Sequence, residues 1–248
     1  MITKCSTTQK LGFLRDRHNL KLIKENLKTN NPLEKDIGEK RKSGIRENIE
    51  AILVAVLLAL FIRTFAVQAF KIPSGSMKQT LQIGDHILVN KFIYGVKVPF
   101  SRTIIIPFKK PKHGDIIVFK FPKDPEKDFI KRVVGVAGDK VEIRNKQVFV
   151  NNIKADSSFA QFTDSFIVPE CPPGIRQDAP CRKDNFGPIK VPENKLFVMG
   201  DNRDQSYDSR FWGFIDLKAV NGKAFIVYWS WDNDNFGIRW KRVGRMLK

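Results

Sequence analysis

Apolar residues follow two different patterns along this chain of 248 residues. The first is a single long run from residue 49 to residue 70, IEAILVAVLLALFIRTFAVQAF, in which Arg63 and Gln68 fall near the far end. As a helix rising about 1.5 Å per residue, this run is long enough to cross a hydrocarbon core of roughly 30 Å. We therefore predict a transmembrane helix over 49–70, with a buried core helix as the alternative.

Beyond residue 70 the apolar positions come in short runs. They are rich in Val, Ile and Phe, and Gly-Asp dipeptides separate several of them as turn signals. No helical period of useful length appears there, so the pattern is typical of a mainly β, barrel-like or sandwich-like fold. The predicted strands are HILVNKF, IIVFKF, RVVGV, KVEIRN and QVFVNN.

Composition divides the chain into four parts. Residues 1–48 hold twelve Lys or Arg against six Asp or Glu, and we predict a loosely ordered, cytoplasmic basic tail ahead of the helix at 49–70. An all-β domain is expected from 71–141 and 196–248. Pro, Gly and Ser accumulate in 142–195, which indicates a small inserted subdomain of loops and short strands.

The net charge of the chain limits the classes of binding partner that it suits. A formal net charge of +18 suits a polyanionic partner, either nucleic acid or an anionic membrane surface. The apolar run favours the membrane, and the basic cluster Arg41, Lys42 and Arg46 predicts that the N-terminus stays inside while the β domain lies outside.

Cysteine is scarce, with Cys5, Cys171 and Cys181 as its three positions. This set matches neither a disulfide-dense scaffold nor a four-ligand zinc site. Cys171 and Cys181 form a disulfide if their side of the membrane is oxidising, and two free thiols are the alternative. We predict no metal and no cofactor.

A serine-rich turn directly follows the apolar run, as Pro73-Ser74-Gly75-Ser76-Met77. Proline fixes its own φ and glycine is free to take a positive φ, so the two frame serines in a tight turn that presents a side chain at a fixed orientation. Serine-rich turns are common, so this turn alone does not identify a nucleophile.

One predicted strand carries two adjacent cations, in Phe129-Ile130-Lys131-Arg132-Val133-Val134. Side chains alternate across a strand, so Lys131 or Arg132 points inward whichever face is buried. Burial lowers the pKa of a lysine, and a neutral amine is a usable general base for a serine hydroxyl. The alternative is an edge strand from which both side chains reach solvent.

Histidine chemistry is poorly supported. Of the three histidines, His18 lies in the tail, His86 follows a turn at the start of a strand, and His113 lies in a solvated turn. The sequence has no G-x-S-x-G nucleophile elbow and no H-E-x-x-H zinc motif.

Four stretches together resemble the bacterial type I signal peptidases, membrane-bound Ser-Lys endopeptidases that remove signal peptides from exported proteins. They are FKIPSGSMKQTLQIGDHILVNKFIYG, KHGDIIVFKFP, DFIKRVVGVAGDKV and GDNRDQSYDSRFWGFI. These stretches follow the order found in the family and cover most of residues 70–141 and 197–216, so their combination is specific.

The resemblance implies a role for each matching residue. Ser76 is expected to be the nucleophile and Lys131 the general base, and the Ser74 hydroxyl and the Ser76 backbone N–H are expected to form the oxyanion hole. The residues expected to orient and support the lysine are Ser206, Asp208 and Arg210, the last two as a salt bridge.

The implied activity is cleavage after small-residue (A-x-A) sites through an acyl-enzyme, in a catalytic β domain on the outer side of the bacterial inner membrane. The implied partners are the signal peptides of exported preproteins, membrane phospholipid and the secretion translocon, and no nucleic acid. We expect Phe70, Ile72 and the strand 83–89 to wall the pocket for small residues, and the aromatic and basic segment 228–245 to lie at the membrane surface or, alternatively, to pack in the core.

Gln79 departs from the family, which usually has proline there, and this change is expected to loosen the turn after Ser76. Two other functions are weighed against the peptidase. A self-cleaving repressor-type Ser-Lys protease would be soluble, which the apolar run argues against. A membrane-tethered basic β domain that binds polyanions without catalysis explains the charge, but leaves Ser76 and Lys131 as a coincidence.

Overall fold

The structure is a computed structural model that describes residues 44–61, 66–97, 104–106, 108–176 and 178–247. The predicted basic tail at 1–48 lies outside these residues except for its end. Helix α1 spans Gly44–Phe61, where Ala, Leu and Glu favour a helix. Its large apolar side chains, such as Ile52 and Leu57, are exposed. Among the described residues, no helix combines the length and apolar character that a membrane crossing requires.

The prediction of one helix over 49–70 is wrong at its C-terminal end. The helix ends at Phe61, and Val67–Lys71 forms strand β1. This segment is extended because it pairs along its whole length with strand β2, Asp85–Asn90, in an antiparallel ladder. A continuous apolar run is compatible with both structures, so the run alone did not show where the helix ends.

Strands dominate the rest of the described chain, and the predicted mainly β fold is confirmed. All five predicted strands are present, as β2, β5, β6, β7 and β8 in the numbering that follows. The remaining strands are β3 Val96–Lys97, β4 Ile104–Ile106, β5 Ile116–Phe121, β6 Asp124–Gly135, β7 Lys140–Arg144, β8 Gln147–Val150, β9 Ile153–Lys154, β10 Phe186–Lys190, β11 Lys195–Met199, β12 Ile215–Asp216, β13 Val220–Asp232, β14 Gly237–Ile238 and β15 Arg245–Met246. Short helical segments are α2, Ser209–Trp212, and the 3-10 turns Phe92–Tyr94, Pro180–Lys183, Arg203–Gln205, Leu217–Ala219 and Trp240–Arg242.

Within the described residues, the strands form one large and two small antiparallel sheets. The large sheet runs in the order β1-β2-β13-β5-β6-β11-β12, with β14 and β15 also paired to β13. The small sheets are β10-β7-β8-β9 and β3-β4. Strand β13 therefore lies in the middle of the large sheet, and β6 lies between β5 and β11.

Both faces of strand β5 are buried in apolar cores. Ile116 and Val118 belong to one cluster, which also contains Met77 from the serine-rich turn, while Ile117 and Phe119 belong to another. Burying one such side chain contributes about 1.5–3 kcal/mol, so this strand is a rigid support for its neighbour β6.

The loop-rich segment 142–195 contributes β8, β9 and β10 to the smaller four-stranded sheet, whose β7 begins at Lys140. Cys171 and Cys181 are joined by a disulfide in this segment, which decides between the two alternatives left open by the sequence. The division of the chain into domains stays a prediction.

Candidate active site

The serine-rich turn is held at both ends by backbone hydrogen bonds. Just before the turn, the Ile72 N–H donates to the Asp85 carbonyl at 2.8 Å. Within it, the Lys78 N–H donates to the Gly75 carbonyl at 3.0 Å and the Leu81 N–H to the Met77 carbonyl at 2.7 Å. The Met77 and Leu81 side chains are fully buried. The turn is thus anchored on the core, with the Ser76 side chain at a fixed place.

Ser76 and Lys131 are in direct contact. The Lys131 Nζ donates a hydrogen bond to the Ser76 Oγ at 2.8 Å and another to the Ile130 carbonyl at 3.0 Å. Strand β6 is paired on both sides, by β5 and β11, and the Lys131 side chain is buried with 4% exposure. The edge-strand alternative is therefore wrong.

The environment of Lys131 favours the neutral amine. Burial lowers the pKa of Lys131 from its ordinary value to about 8, against the opposing charges of Asp208 and Asp201, while the Arg210 charge assists the lowering. Among the described residues, no carboxylate forms an ion pair with the Lys131 amine. At slightly alkaline pH, the Lys131 amine is thus free to accept a proton from a hydroxyl in contact with it.

Ser74 lies at the open side of the turn. Its side chain is exposed, and its Oγ is 3.4 Å from the Ser76 Oγ. The Ser76 N–H donates to no acceptor in the described part of the chain. The Ser76 N–H is thus unpaired in this part of the chain, whereas the Ser74 hydroxyl is within hydrogen-bonding distance of the Ser76 hydroxyl.

Ser206 is buried close to the turn but is not bonded to the lysine. Its hydroxyl forms no hydrogen bond with the Lys131 amine. Gly200 separates Ser206 from the turn, because a Cβ built at Gly200 would collide with both the Ser206 side chain and the Ser76 carbonyl. Only glycine permits this close approach.

Asp208 and Arg210 form a buried, two-point ion pair. The Arg210 Nε and Nη2 donate to the two Asp208 carboxylate oxygens, each at 2.8 Å. Burial opposes ionisation of Asp208, but the Arg210 charge and hydrogen bonds outweigh it and hold the Asp208 pKa below its usual range. Arg210 also donates to the Arg203 and Lys183 carbonyls at 2.6 Å and 2.7 Å, so the pair fixes the loop that carries Ser206.

A second buried ion pair lies beside the site and was not predicted from the sequence. The Arg132 Nε and Nη2 donate to the two Asp201 carboxylate oxygens at 2.8 Å each, and the Thr80 hydroxyl donates to Asp201 at 2.6 Å. Asn202 donates from its backbone to the Ser76 carbonyl and from its side chain to the Gly75 carbonyl, both at 3.1 Å. The signal was the Gly-Asp dipeptide at 200–201, which the sequence offered only as a turn.

The apolar residues expected to wall a pocket lie partly together. Ile72, Ile87 and Val89 belong to one buried cluster with Met77, and Phe70 and Ile130 pack against it. Ile83 instead is exposed. The cluster includes Met77, the residue after Ser76, so an apolar surface adjoins the serine-rich turn.

Gln79 takes a left-handed backbone conformation, with φ of 76°. Proline, with φ near about −65°, could not occupy this position in the same conformation. The looser turn expected after Ser76 stays a prediction.

Histidine stands apart from the site in the described residues. The His113 Nε2 is 2.7 Å from an Asp139 carboxylate oxygen, and neither residue contacts Ser76. His86 packs edge-on against Tyr228. In the same residues, His, Cys, Asp and Glu do not form a group of three or more that could hold a metal ion.

Comparison with known proteins gives consistent matches. The family model described as "Signal peptidase, peptidase S26" matches residues 45–229. Signal peptidase I of Buchnera aphidicola subsp. Acyrthosiphon pisum (strain APS) is 33% identical, over 91% of this chain and 88% of that protein. Signal peptidase I of Pseudomonas fluorescens is 38% identical over 71% and 69%, and that of Aquifex aeolicus (strain VF5) is 34% identical over 75% and 85%. The chain therefore belongs to the bacterial type I signal peptidases of peptidase family S26, which are serine endopeptidases.

Proposed function

We propose that this chain removes signal peptides from exported preproteins with Ser76 as nucleophile and Lys131 as general base. The observation that carries the proposal is the contact of 2.8 Å between the Lys131 Nζ and the Ser76 Oγ, made between two buried side chains. A buried amine of lowered pKa beside a serine hydroxyl is the arrangement that activates the hydroxyl without histidine.

The reaction is acyl transfer in two halves. The Ser76 Oγ attacks the scissile carbonyl carbon as its proton passes to the Lys131 amine, and the resulting ammonium protonates the leaving amine of the mature protein. A water then gives its proton to Lys131 and attacks the ester, which releases the signal peptide and regenerates Ser76. Each proton that Lys131 accepts is returned within the same half-reaction.

The negatively charged oxygen of each tetrahedral intermediate must be stabilised by hydrogen-bond donors next to Ser76. The Ser76 N–H and the Ser74 hydroxyl are the two donors that we assign, because the N–H has no acceptor among the described residues and the Ser74 side chain is exposed beside the Ser76 hydroxyl. Loss of one such donor lowers kcat by about 10²–10³-fold in serine proteases.

We assign Ser206, Asp208 and Arg210 to positioning and not to chemistry. Ser206 is packed through Gly200 against the Ser76 carbonyl, and the Asp208–Arg210 pair fixes the loop around it. In this scheme Ser206 acts on the Lys131 amine through the Ser76 turn, and the Asp208–Arg210 pair restricts where Ser206 lies.

The specificity that we propose is for small residues, as in A-x-A sites. The apolar surface beside Ser76 is occupied by the chain's own side chains, including Ile72, Met77 and Leu81, all buried. A pocket on such a filled surface is shallow, so bulky residues of a substrate would collide with it.

We also propose that the enzyme works at a membrane, with phospholipid and the secretion translocon as neighbours. Helix α1 exposes Ile52, Leu53 and Leu57 among other large apolar side chains, and Phe236 and Trp240 are exposed near the basic Arg239 and Lys241. Apolar and aromatic side chains flanked by cations suit an anionic bilayer surface. The single pass and the cytoplasmic N-terminus belong to this proposal.

The test is cleavage of a preprotein with an A-x-A site, in detergent with phospholipid. Wild type is compared with Ser76→Ala and Lys131→Met, and with the matched controls Ser158→Ala and Lys127→Met, whose side chains are exposed. Both site variants should be inactive although folded, and both controls should cleave like wild type. An active Lys131→Met would show that the base is misassigned, and a wild type inactive on several preproteins would refute the proposed activity.

A further inference from the structure

A cavity of about 450 Å³ lies between strand β6 and the smaller four-stranded sheet, apart from Ser76. Its walls are mostly apolar, with Val133, Val148, Val150 and Phe159 among the lining residues. This volume is in the range of small-ligand sites, which are typically apolar with a few polar groups that fix orientation. Arg203 is the buried polar group here.

Arg203 lines this cavity, and its side chain forms no ion pair or hydrogen bond with the residues that the structure describes. The side chain is buried with 3% exposure, and its Nε and Nη1 are buried without an acceptor among the described residues. The two neighbouring arginines do form ion pairs, Arg132 with Asp201 and Arg210 with Asp208. Of these three arginines, Arg203 is thus the one without an ion pair to a described aspartate, and it lies on the cavity wall.

The Arg203 guanidinium stays charged at neutral pH. Burial lowers the pKa of Arg203 to about 10, with help from the Arg210 and Arg132 charges and opposition from Asp208 and Asp201. An uncompensated buried cation is strongly unfavourable, and a buried donor without an acceptor requires an explanation by a water or a ligand. The Phe159 ring, whose centroid is 5.9 Å from the Arg203 Cζ, supplies only a weak contact.

We propose that this cavity binds a fatty acid, with its carboxylate on Arg203 and its acyl chain along the valines. A carboxylate matches the planar fork of donors on a guanidinium, and an acyl chain has no polar groups to leave unpaired on apolar walls. A peptide would bring backbone groups that these walls cannot satisfy. Lys154 and Asp156 are exposed lining residues at the rim, and Asp156 already accepts hydrogen bonds from Ser158.

The test measures decanoate binding to the full chain in a nonionic detergent by titration calorimetry. Decanol supplies the same chain without the charge, and acetate the charge without the chain. The variants are Arg203→Gln, which removes the cation, and Val150→Phe, which fills the cavity from a half-buried position. Lys154→Gln is the control, because it removes an exposed rim cation of the same charge.

Decanoate should bind at a single site, with decanol and acetate each at least tenfold weaker. Arg203→Gln should weaken decanoate at least tenfold, Val150→Phe should abolish binding while signal peptide cleavage persists, and Lys154→Gln should stay within twofold of wild type. Absence of saturable decanoate binding, or equal affinity in Val150→Phe, would overturn the proposal even if Arg203→Gln fails to fold. Equal binding of decanol would show that Arg203 does not recognise a carboxylate.

Discussion

Two cationic residues, Arg132 and Lys131, are adjacent on strand β6, and their side chains have different kinds of partner. Arg132 is buried against Asp201 in a two-point ion pair that Thr80 supports. Lys131 is equally buried but has a serine hydroxyl and a carbonyl as its partners, and its pKa is lowered. Within the described part of the chain, Arg132 thus has a carboxylate partner and Lys131 has none.

The difference shows that burial alone does not make a side chain reactive. Burial with a carboxylate partner holds the cation charged and makes it structural, whereas burial without one favours the neutral amine. Residue type reinforces the contrast, because a guanidinium does not lose its proton in the physiological range and an ammonium can. Different partners at two adjacent positions therefore give one residue a structural role and the other a chemical role.

The largest effect is expected from Lys131→Met. Activity on a preprotein should fall by about 10⁴-fold or more, because Ser76 loses its base. Stability near neutral pH should be unchanged or higher, since a penalised buried amine is replaced by an apolar side chain of similar size. Cleavage rates and urea denaturation measure the two quantities. A large loss of stability would contradict the assignment of Lys131 to chemistry, and Lys127→Met on the same strand is the control.

Arg132→Met, in contrast to Lys131→Met, should lower the stability of the protein. It leaves Asp201 as an unpaired buried carboxylate, so the free energy of unfolding should fall by about 3–5 kcal/mol. Urea denaturation measures this change, and the double variant Arg132→Met with Asp201→Leu should recover part of it, because no charge is then left alone. An Arg132→Met protein as stable as wild type would show that the contrast between the two cations is not electrostatic.

The third expectation is a pH dependence from Lys131 alone. Because its pKa is about 8, protonation removes the base as pH falls. The value of kcat/KM should drop about tenfold per pH unit below pH 8, hence about 100-fold at pH 6 relative to the plateau. A profile measured with a short peptide substrate checks this. A rate that stays flat down to pH 6 would place the base elsewhere.

The smallest effect concerns the turn that contacts both cations, Lys131 through Ser76 and Arg132 through Thr80. Gln79 has φ of 76°, a conformation that costs a non-glycine residue about 1–2 kcal/mol, while glycine loses about 0.5–1 kcal/mol of entropy on folding. Gln79→Gly should therefore stabilise the protein by about 0.5 kcal/mol, seen as a higher denaturation midpoint.

Gln79→Pro is the informative counterpart. Its fixed φ cannot fit the left-handed turn, so Thr80 should lose its bond to Asp201 and stability should fall. Stability equal to wild type would indicate that the family's usual proline is accommodated and that the turn shape is not set by Gln79.

The sequence predicted the strands and the candidate residues better than the contacts between residues that are distant along the chain. Alternation in 129–134 showed that one of two adjacent cations points inward. It did not show that both are buried, because their partners Ser76 and Asp201 are far from them in sequence. The resemblance named Ser76 and Lys131 together, yet the partner of Arg132 is Asp201, a residue 69 positions later. Pairing at that distance leaves no local pattern.

Two other features were outside the reach of local patterns. The end of α1 could not be read from the apolar run, since the strand that follows it is equally apolar and is defined by its partner β2. The sequence left the bond between Cys171 and Cys181 open because the loop geometry that brings them together is set by the surrounding sheet. The roles of the site residues stay predictions that the experiments above address.

Strand β13 is the last long strand of the chain, yet it lies in the middle of the large sheet, between β2 and β5. Until the ribosome has made strand β13, β2 and β5 have no neighbour on the edges that will pair with it. The loop at 200–210 then packs against a sheet that is still incomplete. Unpaired edges of this kind attract other chains. A newly made molecule would therefore gain peptidase activity only after almost all of its chain has been synthesised. Its incomplete forms would be the ones most in need of chaperones.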